Sequence, residues 1–148
     1  MKSDLDRLMQ ERGFDALVAY GDIESNHILQ YMTNNARISH AYLIKEPGEE
    51  PVLIVSGMER EEAAKSGLTI TTTADFHLLE HIKEAGYFEG ELRMIAEMFV
   101  RYGIKGTVSF YGLDDPGRAF MTLKRLDEML PDVTVTGETD QTDRKSVV

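Results

Sequence analysis

His77-Leu78-Leu79-Glu80-His81 is the sharpest chemical pattern in these 148 residues. Two imidazoles four positions apart on a helix lie one turn above each other. In an H-x-x-E-H arrangement both rings can share a zinc ion while the carboxylate activates its water. The apolar stripe of that helix is Phe76, Leu79 and Ile82, so His77, Glu80, His81 and Glu84 are expected on its polar side, where a solvated face accounts for them equally simply. A catalytic zinc also needs a third protein ligand and a water-excluding cleft, and no evident second half of the chain supplies them. Elsewhere, Tyr20-Gly21-Asp22 closes an apolar run at the carboxyl end of a central strand, the place where open α/β sheets hold ligands. Gly and Asp are also ordinary strand-ending turn residues. His40, just before a hairpin, and Arg37, three residues earlier, can meet an anionic or carbonyl group, or stand as solvated loop residues.

Other chemistries lack their residues. There is no G-x-x-x-x-G-K-[ST], no G-x-G-x-x-G and no G-x-S-x-G, and no Ser/His/Asp set stands out. The chain has no cysteine, which removes disulfides, thiolate metal sites and a cysteine nucleophile and fits a reducing compartment.

The elements that must position these groups can be read along the chain. Ser3, with Asp6 three residues on, marks a helix start; Leu5, Leu8 and Met9 follow at helical spacing, and Gly13 ends the helix. Ala16–Tyr20 is a buried strand ended by Gly21-Asp22. A short helix spans 24–32. Ala41–Lys45 and Val52–Val55 form a hairpin around Glu46-Pro47-Gly48-Glu49-Glu50-Pro51. A helix over Glu59–Lys65, a strand over Leu68–Thr72 and a helix capped by Asp75 and running to Gly86 come next. Leu92, Ile95, Phe99 and Tyr102 mark one face of a further helix. Thr107–Tyr111 is a strand, and Asp115-Pro116 opens a helix that presents Phe120, Leu123, Leu126 and Leu130. Val133–Val135 is a last short strand. Alternating strands and helices with one tight hairpin require a mixed sheet, so the expected fold is a three-layer α/β domain over residues 1–137. Residues 138–148 are polar and aperiodic, a frayed tail or the start of a linker.

A formal net charge of -10 opposes binding to nucleic acid or to an anionic membrane, and the 16 basic residues form no run. No apolar run is long enough to cross a bilayer. The segment Met1–Arg7 is charged at once and has no signal-peptide core, so a cytoplasmic location is expected.

Taken in order, these elements resemble the N-terminal domain of the creatinase/prolidase/aminopeptidase P family, from about Leu5 to Val135. Leu5-Asp6-Arg7-Leu8-Met9 with Arg12-Gly13-Phe14-Asp15-Ala16-Leu17-Val18 looks like the family's first helix and strand, with its G-x-D-A-L/V junction. Tyr31-Met32-Thr33-Asn34 resembles its Tyr-Leu-Thr-Gly segment, followed by Ala41-Tyr42-Leu43-Ile44, Pro51–Val55 and the acidic Glu59–Glu62. Ile28 stands where an asparagine is usual. Asn34 replaces a glycine, and asparagine tolerates left-handed backbone.

The resemblance implies a ribonuclease H-like fold and a division of labour. Catalysis in such proteins belongs to a C-terminal pita-bread domain, where two Asp, one His and two Glu hold a pair of divalent metals (Mn, Co or Zn) in the peptidases, while creatinase works without metal. This chain would then carry no catalytic residue and no cofactor. It would serve a homodimer, capping the partner's active site around a peptide or small amide substrate, with Tyr31, Arg37 and His40 at the substrate rim. Two alternatives remain open on the residues: a free-standing ligand-binding or regulatory module of the same fold, and a small zinc hydrolase using His77, Glu80 and His81.

Overall fold

Strand residues buried on both faces read as continuous apolar runs, and three such runs form the middle of the sheet. In the computed structural model, which describes residues 2–113 and 115–138, six strands assemble in the order β4-β3-β2-β1-β5-β6. They are β1 (Ala16–Asp22), β2 (His40–Lys45), β3 (Val52–Val55), β4 (Thr69–Thr72), β5 (Gly106–Tyr111) and β6 (Val133–Glu138). β2 is antiparallel to both of its neighbours, and the β1–β5, β5–β6 and β3–β4 pairs are parallel. The expected mixed sheet is therefore present. One face is covered by α1 (Lys2–Arg12), α2 (His27–Met32) and α3 (Arg60–Ala64), the other by α4 (Leu78–Ala85), α5 (Tyr87–Tyr102) and α6 (Pro116–Met129).

Alternation sorts each strand between two cores. Leu17, Ala19, Leu43 and Leu53 face Leu5, Met9 and Leu29, whereas Val18, Tyr20, Tyr42 and Ile54 face Leu92, Ile95, Phe99 and Leu126. The hairpin register pairs Leu43 with Leu53 and Tyr42 with Ile54.

Several local expectations need correction. α1 already includes Ser3, so a cap at Ser3 is not its start. Asp6 is not a capping partner either: its carboxylate accepts from the buried Lys45 Nζ at 2.5 Å and from the Gly48 amide at 3.0 Å, tying α1 to the hairpin. β1 does not stop at Tyr20, because β2 continues to pair with it as far as Asp22. Asp75 does not cap α4, whose preceding residue is His77; with Thr72 it forms the capping box of the short 3-10 turn Thr73–Phe76 that comes before it. Phe120 is exposed, while Leu126 and Leu130 of the same stripe are buried. Asn34 does take left-handed backbone, with φ 55°.

β6 runs to Glu138, and the remainder of the polar tail, 139–148, lies outside the described residues. No described helix is long and apolar enough to cross a membrane.

Candidate functional site

The carboxyl ends of β1, β3, β4 and β5 and the amino end of β2 all lie at one edge of the sheet, because β2 alone is reversed. Register then builds a polar cluster there. Tyr20 is opposite Tyr42 and Asp22 is opposite His40, so the four side chains stand on one face in two cross-strand pairs. The Tyr20 and Tyr42 rings stack with centroids 5.4 Å apart, and the His40 ring meets Tyr42 edge-on at 5.2 Å. His40 Nδ1 lies 3.2 Å from Asp22 Oδ1.

The helices add two charges. Glu91, on α5, is buried and accepts a 2.6 Å hydrogen bond from the Tyr42 hydroxyl. The Arg118 guanidinium, in the first turn of α6, lies 4.0 Å from Glu91 Oε1 and 5.4 Å from the Phe88 ring centroid. Burial raises the pKa of the Tyr42 hydroxyl and the adjacent Glu91 charge raises it further, so it stays a phenol and donates. Tyr20 is raised by the same two causes, in the same order.

Two close approaches hold this edge in place. Gly90, next to Glu91, lets α5 run against α4, since a Cβ there would fall 2.6 Å from Ile82 Cα. Gly112, after β5, leaves room for Asn26, which is buried, accepts from the Leu29 amide at 3.1 Å and donates to the Tyr20 carbonyl at 3.4 Å. Asn26 thus caps α2 and fixes the end of β1 at once. α6 starts as its sequence requires: Asp115 accepts from the amides of Gly117 and Arg118, with Pro116 in the first turn.

Two cavities meet at His40. One, of about 220 Å³, includes Tyr20, Asp22, Asp115, Arg118 and Thr122 in its lining. The other, of about 400 Å³, is bounded by Tyr42, Met58, Glu59, Leu78 and Tyr87.

The structure separates the three rim candidates. Tyr31 packs against the α1-side core, and burial raises its hydroxyl pKa, with Asp4 adding to the rise. Exposed Arg37 lines a shallow cavity with Asn34, Asn35, Glu62 and Lys65. His40 belongs to the α5-side cluster.

The H-x-x-E-H pattern is also rearranged. His77 precedes α4 in a left-handed conformation, φ 60°, so the two histidines are not on consecutive turns of one helix. That break shifts the helix phase: Leu78 packs on the core and Leu79 is exposed, contrary to the expected stripe. Both histidines instead address Glu97 of α5, His77 Nδ1 at 3.0 Å and His81 Nε2 at 2.9 Å, and Arg101 donates to the same carboxylate at 2.8 Å. Glu80 is exposed. Among the described residues no group of three His, Asp or Glu side chains is disposed to hold a metal ion.

Glu91, Tyr42 and Arg118 were not singled out by sequence reading. A signal existed for Glu91, which shares a helix face with Met94, Ile95 and Met98, an acid within an apolar stripe.

No protein-family model matches the sequence, and no curated protein matches it. Solved structures do. The X-Pro aminopeptidase from Thermotoga maritima MSB8 superposes with a TM-score of 0.65 and 14% identity, over 100% of this chain and 36% of its own. An Xaa-Pro aminopeptidase from Streptococcus pyogenes gives 0.61 and 17%, over 97% of this chain and 92% of that one. The creatinase/prolidase N-terminal domain of an X-Pro dipeptidase from Streptococcus pyogenes gives 0.54 and 10%, with 98% of both chains covered. At these identities the likeness is one of fold: the chain has the fold of the creatinase/prolidase N-terminal domain.

Proposed function

We propose that this chain acts in the cytoplasm as the non-catalytic N-terminal domain of an Xaa-Pro-peptidase- or creatinase-like hydrolase, supporting a homodimer and capping the active site of the partner subunit. The supporting observation is the superposition of the whole chain on 36% of the Thermotoga maritima aminopeptidase, which leaves most of that longer chain for other work. In this reading the metals, Mn, Co or Zn, belong to a C-terminal pita-bread domain. His40 and Arg37 meet a peptide or small amide at the subunit boundary, His40 as a hydrogen-bonding group and Arg37 as a carboxylate clamp. Tyr31 acts as a wall, from the α1 side.

The test has two arms. The purified 148-residue chain is expected not to hydrolyse Xaa-Pro dipeptides or creatine, with or without added manganese, cobalt or zinc; turnover that co-purifies with the chain and is lost in His77→Ala overturns the proposal. In a parent chain carrying the catalytic half, Arg37→Ala and His40→Ala are expected to raise KM or lower kcat with fold and metal content unchanged. Wild-type kinetics in both variants removes the rim role.

A further inference from the structure

β1 and β5 are parallel neighbours, yet the chain leaves them on opposite faces of the sheet. After β1 it turns to α2, whose Ile28 and Leu29 belong to the α1-side core. After β5 it turns to α6, whose Leu126 belongs to the other core. Such a divergence opens a crevice beyond the carboxyl ends of the two strands, the position where open α/β sheets hold ligands. The smaller cavity at this edge, about 220 Å³, occupies that crevice. Strand pairing stops at Ala19 and Tyr111, and residues 20–22 and 112–113 form its two lips. Gly21 and Gly112, with φ 134° and 84°, leave the backbone bare on both.

The charges lining the cavity select its occupant. Arg118 is the one permanent cation among the described lining residues. Its guanidinium lies 5.4 Å from the Phe88 ring centroid and 4.0 Å from Glu91 Oε1, beyond hydrogen-bond range, and it makes no hydrogen bond among the described residues. Its fork of N–H donors is therefore open to a carboxylate. The first amides of α6 are not: Gly117 and Arg118 donate to the Asp115 side chain, and Ala119 donates to the Asp115 carbonyl. On the other lip Asp22 is exposed. One of its oxygens lies 3.2 Å from His40 Nδ1, and the second has no partner among the described residues. Asp115 adds another negative charge to the lining. A plain anion meets two carboxylates here and a plain cation meets Arg118, whereas a molecule carrying both charges side by side complements each. Leu113 and Ala119 supply apolar wall, and the volume is below the about 300–1,000 Å³ of drug-sized ligand sites, which limits the hydrocarbon part to a short chain. We propose that this crevice binds a small α-amino acid with a short apolar side chain, its carboxylate on Arg118 and its ammonium on Asp22. The site lies within one chain and uses neither Arg37 nor a second subunit, so a negative result leaves the rim role proposed above untouched.

The experiment titrates the 148-residue chain with L-valine while following its backbone amide signals by NMR. Isovalerate, which lacks the amino group, and isobutylamine, which lacks the carboxylate, serve as matched probes. Valine is expected to shift the amides of Gly21 and Gly112 to saturation and to bind at least about tenfold more tightly than either match, the size of one charge-assisted hydrogen bond. Arg118→Gln and Asp22→Asn each remove one charge from a side chain with much of its surface in solvent. The first is expected to weaken valine binding at least about tenfold and the second at least about threefold, both without changing the circular dichroism spectrum. Asp22→Asn carries the test alone if Arg118→Gln fails to fold. Equal binding of isovalerate or isobutylamine, saturation that leaves Gly21 and Gly112 unmoved, no saturation by valine below about 10 mM, or wild-type affinity in the folded variants overturns the proposal.

Discussion

Tyr42 and Glu91, 49 positions apart in sequence, are joined by a 2.6 Å hydrogen bond that ties the reversed strand of the sheet to the first turns of α5. The bond stabilises a carboxylate that the fold has taken out of water. Removing its donor should cost more than removing an exposed one, because the acceptor is left partly unpaired in the interior.

Tyr42→Phe keeps the stacking on Tyr20 and deletes only the hydroxyl. The expected loss of stability is about 1.5–3 kcal/mol, the range for hydrogen bonds to charged groups. Adding Glu91→Gln should recover part of it, since the group left behind is then neutral. Urea unfolding of the two single variants and the double variant measures the coupling. Strict additivity would mean that the two groups do not interact in solution.

Leu53 tests the sheet rather than the site. It is fully buried opposite Leu43, on the face covered by α1 and α2. Leu53→Ala should cost about 2–5 kcal/mol through lost transfer energy and the cavity left behind. A loss under roughly 1 kcal/mol, the level of a surface site, would show that the hairpin register is wrong.

How far these relationships could be read from sequence depends on their range. The hairpin, the alternation in β1 to β3 and the Asp115-Pro116 helix start are local patterns of period two or of capping chemistry, and they reappear in the structure almost residue for residue. Asp22, His40 and Tyr20 were individually visible as polar or aromatic residues at strand ends. Their assembly depends on β1 pairing two residues past its apolar run, which only the partner strand determines. Glu91 left one local trace, an acid on the apolar Met94–Ile95–Met98 face of α5, but an acid on a helix is ordinarily solvated, and the close Gly90–Ile82 approach beside it is a tertiary contact that no local pattern records. The misplaced stripe of α4 has a similar origin: the left-handed His77 breaks the helical phase between Phe76 and Leu79, and no periodicity count registers a single φ sign.

Gly90 is itself a prediction. The added methyl of Gly90→Ala would meet the backbone of Ile82 and His81, at 2.6–2.8 Å, and backbone cannot swing away as a side chain can. Helix propensity favours alanine by about 1 kcal/mol, so a stabilised variant would show that α4 and α5 are not packed this closely. The expected outcome is a net loss of about 1–3 kcal/mol, as for other overpacked contacts. Because Glu91 follows directly, the His40 ring signals should shift as well.

Glu97 predicts a pH dependence. Burial raises its pKa, but hydrogen bonds from His81 and His77 and the nearby charges of His77 and Arg101 outweigh it, and the net shift is downward from the ordinary 4.5. A carboxylate with a depressed folded-state pKa binds fewer protons folded than unfolded in the interval between the two values, so stability rises with pH there. Its contribution is complete above about pH 4.5, the ordinary value, and is lost as pH falls through the folded value. Asp6, Asp75 and Glu89 are shifted in the same direction, while Glu46 is raised by burial and by Glu49 and works against them. Glu97→Gln should therefore remove only part of the acid limb. The urea midpoint of the variant should lie below that of the wild type at neutral pH, and the gap should close as the pH drops below 4.5. Parallel curves through that interval would mean that Glu97 is not held by the two histidines and Arg101 in solution.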